Sequence, residues 1–369
     1  MTERTLLFTP GPLTTSATVK AAMLRDFGSR DARFIQLIAD IRQQLVALGT
    51  QISTRWTCVP MQGSGTFGVE ATLGALVPRG GKLLVAQNGA YGKRIAEIAR
   101  RLGIETVVVD APEHAQVDAA AIDAALTARP EIDVVACVHS ETTSGILNPI
   151  ADVGAVVQRR GKLFLVDAMS SFGGVPLDLD AAGIDALVSS ANKCIEGVPG
   201  FSFALVRRDV LAQCAGRARS VSLDLYAQAA ELDRSGQFRF TPPTHVLAAF
   251  HQALRELADE GGITARHARY QANRAELLAG LARLGLRAWL PTELQGPIIT
   301  SVRYPEDPRF DFPAFYQALA ERGFTLYPGK VSSANCFRVG TIGRLFPADF
   351  TALCAAMGDV LSAHGVATP

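Results

Sequence analysis

No stretch of this 369-residue sequence reaches the run of roughly 18 apolar residues that a membrane-crossing helix needs. Neither sign of charge dominates: 36 Lys and Arg stand against 35 Asp and Glu, a net charge of +1. With no bulk field to draw nucleic acid or an anionic membrane, any anion this chain binds must be held by a local site. The six cysteines, at 58, 137, 194, 214, 336 and 354, form no C-x-x-C pair, and none stands at zinc-ligand spacing from a histidine. Reduced thiols and no metal are therefore expected. The opening residues "MTERTLLFTPGPLTTS" are polar and proline-rich and lack the apolar core of a secretory signal. A cytoplasmic protein is the expectation.

The hydrophobic share, 48%, and a mean hydropathy of +0.18 provide for a well-buried core, and 369 residues exceed what one core usually supports. One large and one smaller domain are expected. From residue 81 short apolar runs alternate with helical stretches: "KLLVAQ", "GKRIAEIARRLG", "IETVVVD", "AAAIDAALTAR", "IDVVACVHS", "DVGAVVQRRG", "KLFLVDA". This pattern predicts βαβ units and a mostly parallel sheet covered by helices. After "FSFALVRR" (201–208) the alternation lapses. A helical stretch from Thr244 to Leu284, broken at "EGGI", leads into "GPIITSVRYP", "PAFYQALAERG", "FTLYPG" and "CFRVGTIG". The division expected is an N-terminal segment 1–15 packing on the small domain, an α/β domain over 16–260, and an α+β domain over 261–369.

Three features carry chemistry. In "MQGSGTFGVEATLGALV" the glycines precede a helical pattern, so the first N–H groups of that helix could cradle a phosphate. The same residues also suit a tight turn before a capped helix, and their spacing is that of neither the dinucleotide fingerprint nor the P-loop. Asp167 ends the strand-like run "KLFLVD", where open α/β sheets place their ligands; it would also serve as the cap of the following turn. Lys193, in "SSANKCIEGVPG", stands 26 residues later at another strand end, a costly position for a strongly hydrated amine. A buried Asp–Lys pair would stabilise little, because desolvation consumes most of the Coulombic gain. Together the three match what pyridoxal phosphate requires: a lysine for its covalent link, a carboxylate for its ring nitrogen and donors for its phosphate.

Over nearly its whole length the chain resembles the class V branch of fold-type I pyridoxal-phosphate aminotransferases, through "FTPGPLTTSATVKAAMLRDFGSRD", "MQGSGTFGVEATLGALVP", "SETTSGILNPI", "VDAMSSFGG", "SANKCIEGVPGFSF" and "FRVGTIG". The resemblance implies Lys193 as the cofactor's lysine, Asp167 as the acid at its ring nitrogen, and Ser64, Gly65 and Thr66 at its phosphate. It implies Tyr91 against the cofactor face and Thr142 at its ring oxygen. It also implies a homodimer, with Thr241 reaching the neighbouring subunit's cofactor. By itself Thr241 would read as an N-cap before a proline-started helix.

Arg338 falls where relatives hold the substrate's anionic end, and its fork can grip a carboxylate or phosphonate by two parallel bonds; the alternative is a structural salt bridge. Arg30 is a second candidate for the substrate mouth, or a solvated surface residue. The activity implied is transamination of 2-aminoethylphosphonate with pyruvate, with alanine:glyoxylate or serine:pyruvate exchange as the alternative. A cysteine desulfurase would need a nucleophile such as Cys336, but Asn192 stands before the lysine where such enzymes usually have His. A dehydrogenase is disfavoured, since no G-x-G-x-x-G opens the alternating series.

Overall fold

The structure is a computed structural model that describes residues 5–366. Residues 1–4 of the expected N-terminal segment, and 367–369 of the expected C-terminal domain, lie outside that range. Its centre is a seven-stranded sheet in the order Trp56–Gln62, Phe201–Arg207, Ala186–Ser190, Leu163–Asp167, Val134–Val138, Lys82–Gln87, Glu105–Asp110. Phe201–Arg207 runs antiparallel to both its neighbours, and every other pairing in the sheet is parallel. Val134–Val138 and Ala186–Ser190 are buried at every residue. Strands covered on both faces give continuous apolar runs rather than alternation. Strand direction leaves no mark in such runs, so the reversed strand was not legible.

The helices between strands are set by local chemistry. Asp31 and Asp118 accept backbone N–H groups at the starts of Ala32–Gly49 and Ala119–Ala128. Gly261, at φ 106°, and Gly262, at φ 74°, adopt the left-handed conformation that separates Thr244–Glu260 from Gly262–Arg283. The second of these helices contributes Leu277 and Leu281 to a separate core with Phe8, Phe315, Phe337, Phe350 and Met357. Over this core lies a three-stranded antiparallel sheet, Ile299–Arg303, Cys336–Gly340 and Tyr327–Pro328.

The N-terminal segment ties the two cores together. Leu6–Leu7 pairs in parallel with Phe324–Thr325, Phe8 enters the second core, and the Phe8 carbonyl accepts from Gly340 N at 2.8 Å. The chain then crosses toward the large sheet, where the Pro10 carbonyl accepts from Lys193 Nζ at 2.8 Å. Gly11, at φ 117°, passes so close that a Cβ there would stand 2.8 Å from that nitrogen. Among the described residues no helix is long and apolar enough to cross a membrane, and no group of His, Cys, Asp and Glu could hold a metal.

Candidate active site

The parallel strands and Trp56–Gln62 all direct their carboxyl ends to one edge, so the loops that follow them converge there. A cleft of about 190 Å³ opens at that edge, lined by Ser64, Gly65, Thr66, Tyr91, Arg94, Asp167, Met169, Asn192 and Lys193, among others. Gly63 turns the chain at φ 99°, and the helix Gly65–Leu76 begins with Ser64 as an N-cap whose side chain makes no capping bond. The first N–H groups of this helix therefore face the cleft without a side-chain acceptor, as an anion site requires. The capped-helix alternative does not hold here.

Asp167 is the last residue of its strand and pairs in register with Val188 of the next. Its Oδ1 accepts from Met169 N at 2.9 Å, so it does cap the turn. It is also buried, and burial, aided by the charge of Glu141, pushes its carboxyl up to about 6 against the opposing effects of Met169 N, Lys193 and Arg94. Lys193 follows the strand Ala186–Ser190 by three residues. Burial holds its amine below the usual lysine range, assisted by Arg338 and opposed by Tyr91, Cys194 and Asp167.

Tyr91 is the second residue of the helix Ala90–Arg101. Burial would raise its phenol, yet a hydrogen bond with Thr142 and the charges of Lys193, Lys330 and Arg338 prevail and hold it below the usual range. Arg338 sits in the middle of Cys336–Gly340, opposite Ser301 and Tyr327. It is 5% exposed; its Nε donates to Pro328 O and its Nη1 to Thr142 O, both at 2.9 Å. Among the described residues it forms no ion pair with a carboxylate, so no structural salt bridge is seen there. The buried guanidinium is held by two backbone carbonyls and the Tyr91 phenol, a setting in which an anionic substrate group would be its charge partner.

Arg30 and Thr241 stand elsewhere. Both are exposed, and they line a separate surface hollow with Arg239 and Phe240. The Thr241 carbonyl accepts from the Gln62 amide, just before the Gly63 turn. Thr241 is not an N-cap: the following helix, Thr244–Glu260, has Pro243 at that position and no side-chain cap. Cys336 is buried, and burial pushes its thiol up to about 11, a poor nucleophile at neutral pH.

Sequence reasoning missed four parts of this site. Glu141, fully buried, accepts from Thr143 N at 3.0 Å and from Tyr91 N at 3.1 Å, and so fixes the loop carrying Thr142 against the start of the Tyr91 helix. Arg94 lines the cleft beside the Ser64–Thr66 turn. Lys330 places Nζ 4.9 Å from the Tyr91 ring centroid. The fourth part is an ionic cluster behind the lysine loop. Glu196, at φ 66° in the left-handed region, accepts at 2.7 Å from both Arg269 and Tyr270, while Arg266 donates to Cys194 O and to Glu260, also at 2.7 Å. Arg269 further donates to the Gly343 and Leu345 carbonyls, just beyond the Arg338 strand. One cluster thus fixes Lys193 relative to Arg338.

Glu196 and Cys194 lie more than 60 residues from their partners Arg266, Arg269 and Tyr270 along the chain, and only the strained "EGVPG" turn hinted at the cluster. Replacing Glu196 by Ala leaves two buried guanidinium groups sharing one acid. The expected cost is about 3–5 kcal/mol of stability by urea denaturation, with Glu196→Gln intermediate.

The aminotransferase class-V family model matches residues 14–334. The 2-aminoethylphosphonate–pyruvate transaminase of Salmonella schwarzengrund (strain CVM19633) is 54% identical over 360 residues, covering 97% of this chain and 98% of its own. Among solved structures, alanine–glyoxylate aminotransferase from Nostoc sp. superposes with a TM-score of 0.90 at 27% identity, covering 98% of this chain and 96% of that one. Pyridoxamine–pyruvate aminotransferase from Mesorhizobium loti gives 0.89 at 27% identity, covering 98% and 93%.

Proposed function

Because the chain belongs to the class-V aminotransferases, with their fold-type I architecture, we propose that it transfers the amino group of 2-aminoethylphosphonate to pyruvate. The products are phosphonoacetaldehyde and L-alanine, and the cofactor is pyridoxal 5'-phosphate. The observation that carries this reading is the pairing of a near-full-length likeness to a transaminase of that substrate pair with a buried, unpaired Arg338 beside Lys193.

The cleft's own chemistry suits the cofactor. The uncapped start of Gly65–Leu76, with Ser64 and Thr66, offers donors for a phosphate. Asp167 would hold a proton on the ring nitrogen, Thr142 would bond the ring oxygen, and Tyr91 would lie against the ring. When bound, the cofactor supplies an electron sink for the electrons released as the substrate C–H bond breaks. Lys193 Nζ would hold it and would carry the proton that leaves the substrate carbon beside nitrogen. Burial lowers the proton affinity of this amine, the direction a base needs. Arg338 meets the phosphonate in one half-reaction and the pyruvate carboxylate in the other, so one fork serves both halves of a ping-pong cycle.

The working form is a homodimer with its two sites at the subunit interface. Phe67, in the first turn of Gly65–Leu76, is 51% exposed, and Phe240, in the hollow that carries Thr241 and Arg30, is 44% exposed. Apolar rings beside a candidate phosphate site call for cover, and a second copy would supply it and bring Thr241 to its neighbour's cofactor.

Half-reaction spectroscopy tests the reading. Adding 2-aminoethylphosphonate alone to the holoenzyme should bleach the visible absorbance of the bound cofactor, and pyruvate should restore it. No bleaching at millimolar amine would reject the substrate.

A further inference from the structure

We propose that Lys330 is a second cationic contact for the substrate's phosphonate, and that it sets the preference for a dianionic over a monoanionic head group. The inference rests on the functional reading above and deepens it. Lys330 is in the loop between Tyr327–Pro328 and Cys336–Gly340, the two strands that hold Arg338. Its side chain is exposed, yet Nζ lies 4.9 Å from the Tyr91 ring centroid, and no carboxylate among the described residues pairs with it. The loop is anchored at its middle: Ser332 donates to Glu113 Oε2 from its backbone N at 2.8 Å and from Oγ at 2.9 Å.

Arg338 is hydrogen-bonded to the phenol of the same Tyr91, and its guanidinium lies 5.7 Å from the Tyr327 ring centroid. Two cations therefore meet at Tyr91, which lines the cleft, and among the described residues neither forms an ion pair with a carboxylate. Arg94, the other cation over the Tyr91 ring, lines the cleft beside Ser64–Thr66 instead and serves its phosphate end.

Charge and shape both give the second cation a use. A carboxylate carries one charge on two coplanar oxygens, and the Arg338 fork can satisfy both. A phosphonate at neutral pH, like a phosphate monoester, carries roughly −1.5 to −2 on three tetrahedral oxygens. The fork takes two of these, and the third points out of its plane with close to a full charge uncompensated. Lys330 is a point charge on a flexible stem and reaches such an oxygen without a fixed plane.

The test compares the two half-reactions of the Lys330→Met holoenzyme by the cofactor's absorbance, with 2-aminoethylphosphonate as one amino donor and L-alanine as the other. The expected result is that kcat/KM for the phosphonate falls at least about tenfold further than for L-alanine, as losing one charge-assisted contact implies. Lys330→Arg should restore most of the difference. Equal losses on both donors, or no loss on either, would overturn the inference while leaving the transamination reading intact. Wild-type enzyme inert toward 2-aminoethylphosphonate would overturn both.

Discussion

Lys193→Ala should lower turnover by at least about 10⁴-fold, the upper end of what a positioned acid–base group contributes, and remove the visible absorbance of the covalently held cofactor. The fold should survive. In the structure this side chain makes a single hydrogen bond, to the Pro10 carbonyl, and burial penalises its charge. A residue that only stabilised the loop would show the reverse, a falling melting temperature with activity kept. Circular dichroism beside the activity assay separates the two. Retained turnover would remove Lys193 from the chemistry.

The second large effect concerns Asp167 and has opposite signs for stability and activity. Burial is the main force lifting its carboxyl from 3.8 to about 6. The unfolded chain loses this proton near 3.8, whereas the folded chain keeps it until near 6. Stability therefore falls as pH rises between those values, and the full penalty, about 3 kcal/mol at 1.36 kcal/mol per unit, applies above pH 6. Asp167→Asn keeps an oxygen for Met169 N but carries no charge. The cofactor-free variant should therefore be more stable than wild type at pH 7.5 and no different at pH 3.5.

Turnover should nevertheless fall by at least about 10²–10³, because a neutral amide cannot stabilise the protonated ring nitrogen. Urea denaturation of cofactor-free protein at the two pH values, with steady-state rates of the holoenzyme, checks both signs. A variant less stable at pH 7.5 would mean that the carboxylate is a structural cap alone. Stability held back at a site the chemistry requires is a common signature of function.

How much of this was legible in sequence depended on how local each signal is. The buried strands and their helices were readable because each is a contiguous run. Asp167 and Lys193 were readable because a charge at the end of an apolar run is costly wherever the run folds. Arg338 stood out for the same reason, and the structure adds that it forms no ion pair among the described residues. The Glu196–Arg266–Arg269 cluster was not readable, since each residue lies in an ordinary polar context and meets the others only through the fold. Glu141 was hidden similarly, in a polar turn whose partner Tyr91 lies 50 residues earlier. Lys330 has no apolar setting to mark it. Arg30 and Thr241 were grouped with the site by resemblance, and within one chain they stand on a neighbouring surface.

The most direct test of the central claim is the amino-donor preference of the purified protein with pyridoxal phosphate and pyruvate. L-alanine formed is measured with either 2-aminoethylphosphonate or L-serine as donor. Alanine accumulating from 2-aminoethylphosphonate with phosphonoacetaldehyde in equal amount is the result predicted. Alanine accumulating from L-serine alone would contradict it and assign the site to carboxylate donors.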